Sequence, residues 1–161
     1  MRILVYGYGN PGREDDGLGI ALVNELEKWA VDNQLANISF DNNYQLNIED
    51  AEVISNHDLV IFADASEEDI DDFCLSVVDS TAKLAFTTHS ASPGYILKLC
   101  QELFQIEPLV LLMHIKGYAW EFKEGISPKA AENLKAAILY MKEILEEPET
   151  AVASLSKLKL C

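Results

Sequence analysis

Asp16, Asp64 and His89 stand where apolar segments give way to polar loops, and their side chains suit either a divalent cation or proton transfer. Two carboxylates and a neutral imidazole make a ligand set for a transition metal such as nickel or zinc, with coordination positions left open for a substrate group. Each residue also has an ordinary use. Asp16 or its neighbour Asp15 can cap the helix that follows, because a carboxylate there accepts from free N–H groups of the first turn. Asp64 ends the apolar run 59–63 and can cap the next helix, while His89 can serve as a hydrogen-bonded structural histidine. A carboxylate at the end of a buried strand is costly without a partner, which favours taking the three residues together.

Asp16 lies in GYGNPGREDDGLG, residues 7–19. Gly7, Gly9 and Gly12 superficially fit a dinucleotide-binding turn. The carboxylates of Glu14, Asp15 and Asp16 at the helix opening would repel a pyrophosphate, so that reading fails. A cap needs one aspartate, not two. Gly17 and Gly19 weaken the helix start, as expected if the backbone must pack closely or make room for a bulky ligand. His57 precedes its strand, and His114 follows an apolar run with no acidic companion nearby in sequence. No Ser-His-Asp, Cys-His or HExxH arrangement is evident.

Short apolar runs alternating with helical periodicity must position these residues, and that alternation predicts an α/β fold. The expected form is a three-layer αβα sandwich, with a mostly parallel twisted sheet of about five strands and helices on both faces. Residues 2–8 read as a strand, and Leu18, Leu22, Leu26 and Trp29 recur at helical spacing through about residue 31. A second strand is expected over 38–44 and a short helix over 48–56. The run 59–63 has the continuous apolar character of a strand buried on both faces, which makes it the central one. Residues 73–78 read as an edge strand, 84–88 as a strand leading into His89, and 109–113 as another. Ser92-Pro93 and Ser127-Pro128 each place a capping hydroxyl before a first-turn proline. Helices are therefore predicted from 93 to about 105, and from 128 to before Pro148. One domain over 1–148 is expected, followed by a tail, 149–161, of uncertain order.

The 161 residues carry 27 acidic and 12 basic side chains, a formal net charge of -15. Such a field repels polyanions, so nucleic acid and anionic membrane are unfavourable partners, whereas a metal cation or a basic segment suits it. The apolar runs fall far short of the roughly 20 residues needed to cross a bilayer. The first residues enter a strand at once without an export signal, so a cytoplasmic protein is expected. Cys74, Cys100 and Cys161 are odd in number and widely spaced, which predicts reduced thiols, two of them core fillers.

Four ordered segments resemble the hydrogenase-maturation protease family, endopeptidases that trim the C-terminal extension of the nickel-iron hydrogenase large subunit. GYGNPGREDDGLG is similar to the family's opening signature, IFADAS to its second acidic segment, TTHSASP to its histidine segment, and GYAWEFKEGISP to its last strand and helix start. The likeness spans most of residues 1–145. It implies that Asp16, Asp64 and His89 contact nickel, Asp16 standing where other members have glutamate, and that Asp16 and Asp64 serve in catalysis. It places substrate contacts at Gly9, Asn10 and Gln45, the last within 41–50, where partner specificity is expected. The implied partner is a nickel-loaded large-subunit precursor, processed by a monomer. Nickel arrives with that substrate, and zinc or cadmium can occupy the site in isolation.

Two other readings compete. A response-regulator receiver needs an acidic pair, a strand-end Asp, a Thr or Ser and a Lys, for which Asp15-Asp16, Asp64, Thr87 or Thr88, and Lys116 are available. The displaced acidic pair and the idle His89 speak against it. A non-catalytic nickel-binding module would use the same three ligands.

Overall fold

A computed structural model of the chain describes residues 1–80 and 91–161. Among the described residues five strands form one sheet: β1 (Ile3–Tyr8), β2 (Ile38–Asn43), β3 (Leu59–Ser66), β4 (Phe73–Val77) and β5 (Leu109–Lys116). Their order is β2-β1-β3-β5-β4, parallel except for β4, which runs antiparallel to β5 at the edge. The run 59–63 is the centre of the sheet, as its uniform hydrophobicity implies, and 73–78 is an edge. The strand expected over 84–88 and the candidate ligand His89 lie outside the described residues.

Alternation along the strands builds two cores. Ile3, Val5, Ile61, Ala63, Leu111 and Met113 face α1 (Leu18–Asp32) and α4 (Pro128–Glu146), which contribute Leu18, Leu22, Leu26, Ala137 and Met141. Leu4, Tyr6, Val60, Phe62 and Val110 face the other way. Ala51 and Ile54 of α2 (Asp50–Ser55), with Ile96, Leu97 and Cys100 of α3 (Pro93–Phe104), cover them. Ser92 caps α3 by accepting from the Tyr95 N–H, 3.2 Å away, with Pro93 in the first turn. The result is the expected three-layer α/β architecture.

Gly19 explains the weakened start of α1. A Cβ there would sit 2.2 Å from the carbonyl oxygen of Ala63 and 3.0 Å from that of Tyr8, so helix and sheet backbones touch. Gly19→Ala is expected to cost about 3 kcal/mol, because two backbones must separate. Urea unfolding checks this, and a loss below about 1 kcal/mol would contradict the contact.

Further elements follow α4. Pro148–Ala153 form α5, a single 3-10 turn follows at Leu155–Lys157, and Leu158 packs on the α1/α4 core. Residues 159–161 then lie along β4. Leu75 N–H donates to Lys159 O, and Cys161 N–H donates to Leu75 O, each at 2.8 Å. Lys159 N–H also donates to the Tyr140 hydroxyl at 2.7 Å, and its ammonium pairs with Asp72 at 2.5 Å. Three hydrogen bonds at about 1 kcal/mol each, a half-exposed ion pair of at most about 1 kcal/mol, and the Lys159 ammonium 4.1 Å over the Phe73 ring at about 0.5–1 kcal/mol face roughly 1–2 kcal/mol per residue of ordering entropy. The non-covalent attachment of 159–161 is thus near balance.

A disulfide joins Cys74 to Cys161, which corrects the expectation of three reduced thiols. Their separation of 87 residues carries no local signal; the fold brings their Cα atoms to 5.0 Å. Cys100 is buried in α3 and donates its S–H to Ile106 O, as suits a core filler.

Candidate active site

The loop leaving β1 is shaped around one carboxylate. Gly9 has φ of +135°, and a Cβ there would lie 2.1 Å from the Asp16 carbonyl oxygen, so only glycine lets the loop fold back. Asn10 N–H then donates to Asp16 Oδ2 at 2.8 Å, and its side-chain oxygen accepts from Gly12 N–H at 2.9 Å. Neither the 3-10 turn Glu14–Gly17 nor α1 has a side-chain cap, so the capping alternative is wrong for both aspartates. Gly9 and Asn10, expected as substrate contacts, sit against Asp16 and hold it in place.

Asp15 does something else. It is fully buried and accepts from Tyr118 N–H at 2.8 Å, Ala119 N–H at 3.0 Å, and the Ser127 N–H and hydroxyl, both at 2.7 Å. Burial alone would push its carboxyl up, but the bonds from Tyr118, Ser127 and Ala119 outweigh burial and hold it below the usual range. Further ties fasten the same two loops: Glu14 N–H to Lys123 O at 2.9 Å, Asp15 N–H to Ala119 O at 3.1 Å, and Arg13 Nε to Trp120 O at 3.0 Å. Asp15 bolts the β5–α4 loop to the β1–α1 loop, so its neighbour Asp16 rests on a rigid base.

Asp64 lies near the carboxyl end of β3, partly buried. β3 continues through Ser66 and leads to β4, so no helix follows for Asp64 to cap. Burial first, and then the charge of Asp16, raise its carboxyl to about 7, against smaller opposing bonds from the Ala65 N–H and the Tyr8 hydroxyl. Tyr8 is raised in turn by burial and by Asp64. The structure therefore brings Asp16 and Asp64 together at the carboxyl edge of the sheet, where ligands of open α/β sheets bind. A pair of carboxylates that repel each other near neutral pH can share a proton, hold a cation or take a proton from water.

The donor chemistry fits a divalent cation, since one would relieve the repulsion that raises Asp64. Among the described residues no cluster of three His, Cys, Asp or Glu is close enough to hold a metal. His89, the third expected ligand, lies outside them. Gln45 is exposed in the loop after β2, whose last residue, Asn43, stands in register with Tyr8. That loop is anchored by Asp50, which accepts from the buried Tyr6 hydroxyl at 3.1 Å and from Asn47 N–H at 2.7 Å.

Tyr8, which bonds Asp64, is not among the residues expected from the sequence, although a tyrosine ending a strand before a glycine turn is a recognisable signal. His57 is structural, with Nδ1 2.9 Å from Val53 O. His114, which has no acidic companion in sequence, stands in register with Asp64; burial lowers its imidazole, and Nε2 lies 2.8 Å from Ser76 Oγ. The receiver reading fails on topology, because β3 pairs directly with the strand that ends in Lys116, whereas a receiver of order 2-1-3-4-5 places its fourth strand between the third and the Lys-bearing fifth. It fails on chemistry too, since Lys116 Nζ donates to the carbonyls of Glu67 and Glu68 and Asp15 is consumed structurally.

No protein-family model and no curated protein matches the chain. Solved structures do. The NiFe hydrogenase maturation protease HycI of Thermococcus kodakarensis KOD1 superposes with a TM-score of 0.73 at 21% identity, covering 91% of this chain and 93% of its own. The hydrogenase maturating endopeptidase HybD of E. coli gives 0.71 at 20% identity, covering 92% and 94%. A hydrogenase 2 maturation peptidase from Thaumarchaeota archaeon SCGC_AB-539-E09 gives 0.65 at 20% identity, covering 90% and 98%. The β2-β1-β3-β5-β4 sheet and its flanking helices are thus the fold of the hydrogenase maturation proteases.

Proposed function

We propose that the chain is a hydrogenase-maturation endopeptidase that removes the C-terminal extension of a nickel-loaded NiFe hydrogenase large-subunit precursor. The observation that carries this reading is the Asp16–Asp64 pair at the carboxyl edge of that fold, with Asp64 raised to about 7. The raised carboxyl marks two acids held together before any cation arrives, an arrangement that a cation relieves and that sets a carboxylate beside water as a general base. Nickel belongs to the substrate: Asp16, Asp64 and His89 engage it, and its engagement marks the precursor as ready. Asn10 and Gly9 keep Asp16 oriented, Tyr8 orients Asp64, and Gln45 on its exposed loop contacts the precursor. The acidic surface favours approach of a cation-bearing partner. The enzyme works as a monomer in the cytoplasm.

Intact-mass measurement of a precursor incubated with the protein tests this: one discrete C-terminal truncation is expected. Binding of nickel by the chain with no truncation would favour the non-catalytic module instead. Zinc or cadmium should bind the isolated protein, and Asp16→Asn should weaken that binding at least about tenfold in a calorimetric titration. Unchanged affinity would remove Asp16 from the site.

A further inference from the structure

We infer that Cys74 and Cys161 form a thiol–disulfide exchange site, a latch whose reduction by a dithiol frees residues 159–161 from the edge strand. The inference does not depend on the proposed protease activity. The two sulfurs are unequally placed: Cys74 is 6% exposed within β4, whereas Cys161 is exposed. Disulfides with an open side are the ones that exchange readily. The covalent link also decides whether the segment stays, because its hydrogen bonds to Leu75 and Tyr140, its ion pair to Asp72 and the Lys159 contact with the Phe73 ring together only match the entropy of ordering it. Release would stop at Leu158, which is anchored in the core.

The chemistry balances without any group from the active site. A thiolate of the dithiol attacks Sγ of Cys161, the accessible sulfur, and Cys74 leaves as a thiolate that takes a proton. The second thiol of the reductant then displaces Cys161. The disulfide has gained two electrons and two protons, and the reductant has become a disulfide. Cys100 takes no part, since burial raises its thiol and its S–H is engaged by Ile106 O.

Opening has a defined address. Cys74 stands in register with His114, and His114 with Asp64. Their neighbours Leu75, Met113 and Ala63 belong to the α1/α4 core, so all three side chains point to the opposite face. At strand spacing, Cys74 lies about 10 Å from Asp64. The latch therefore closes the edge of the sheet on the rung that carries the candidate site.

The test equilibrates the full chain in graded mixtures of reduced and oxidised dithiothreitol, labels thiols with N-ethylmaleimide, and follows amide exchange. Cys74 and Cys161 should become labelled together while Cys100 stays protected, and the Leu75 and Cys161 amides should exchange at least about tenfold faster in the reduced protein. Cys161→Ser should reproduce that exchange with cooperative melting retained. Free thiols at the most oxidising ratio, or Leu75 exchange unchanged by reduction, would overturn the latch. Loss of protection throughout the reduced wild type would also overturn it, by showing a staple for the whole fold. The wild-type comparison decides the matter even if the variant fails to fold.

Discussion

Asp64→Asn is expected to make the protein more stable at about pH 8 and to lower peptide cleavage at least about a thousandfold. The sign follows from the direction of the shift. With a folded value of about 7 against an ordinary value near 3.9, the native state binds more protons than the unfolded chain between those limits. Stability therefore falls as pH rises through that window, and the loss is complete above about 7. Asparagine cannot ionise, so it escapes the loss while still accepting from Ala65 N–H and Tyr8. A shift of this size corresponds to roughly 2–4 kcal/mol, of which about 2 should survive the change in hydrogen bonding. For a chain of this length that raises the melting temperature by about 4–8 °C at alkaline pH, with little gain below about pH 4. Melting curves across pH check this. A variant less stable than wild type at every pH would mean that the Asp64 carboxylate supports the fold and is not strained for chemistry.

Asp15→Asn should act the other way. The substitution preserves shape but turns an NH2 group toward donors from Tyr118, Ala119 and Ser127 that now converge on a carboxylate. Removing a buried, fully bonded charge costs about 3–5 kcal/mol, against about 1 kcal/mol for the loss of a helix cap. A fall in melting temperature of roughly 8–15 °C is expected, with faster amide exchange in residues 117–127. Because the Asp15 carboxyl is held low, its contribution is present above the ordinary carboxylate value and is lost as pH falls through the folded one. A loss near 1 kcal/mol would restore the capping role that the geometry denies.

These two adjacent aspartates show where sequence reading reaches its limit. Asp15-Asp16 was legible as one more acid than a cap requires, and Gly17 and Gly19 as signs of close backbone approach. The division of labour was not legible, because the four donors to Asp15 come from more than a hundred residues away. The central strand, the edge strand and the Pro-started helices α3 and α4 were readable because burial on two faces, mixed polarity and capping are local. The Cys74–Cys161 pair and the docking of 159–161 on β4 are long-range outcomes of topology. Tyr8 and the register partner of Asp64, His114, emerge only once strands are paired. Asp16 and Asp64 are legible as carboxylates following strands, whereas the charge of Asp16 acting on Asp64 exists only in the folded chain.

The most direct measurement incubates the purified protein with a NiFe hydrogenase large-subunit precursor prepared with and without nickel, and follows both by intact mass. The account predicts a single C-terminal truncation of the nickel-loaded precursor and none of the nickel-free one. Cleavage of neither would contradict the endopeptidase assignment, and equal cleavage of both would contradict recognition through nickel.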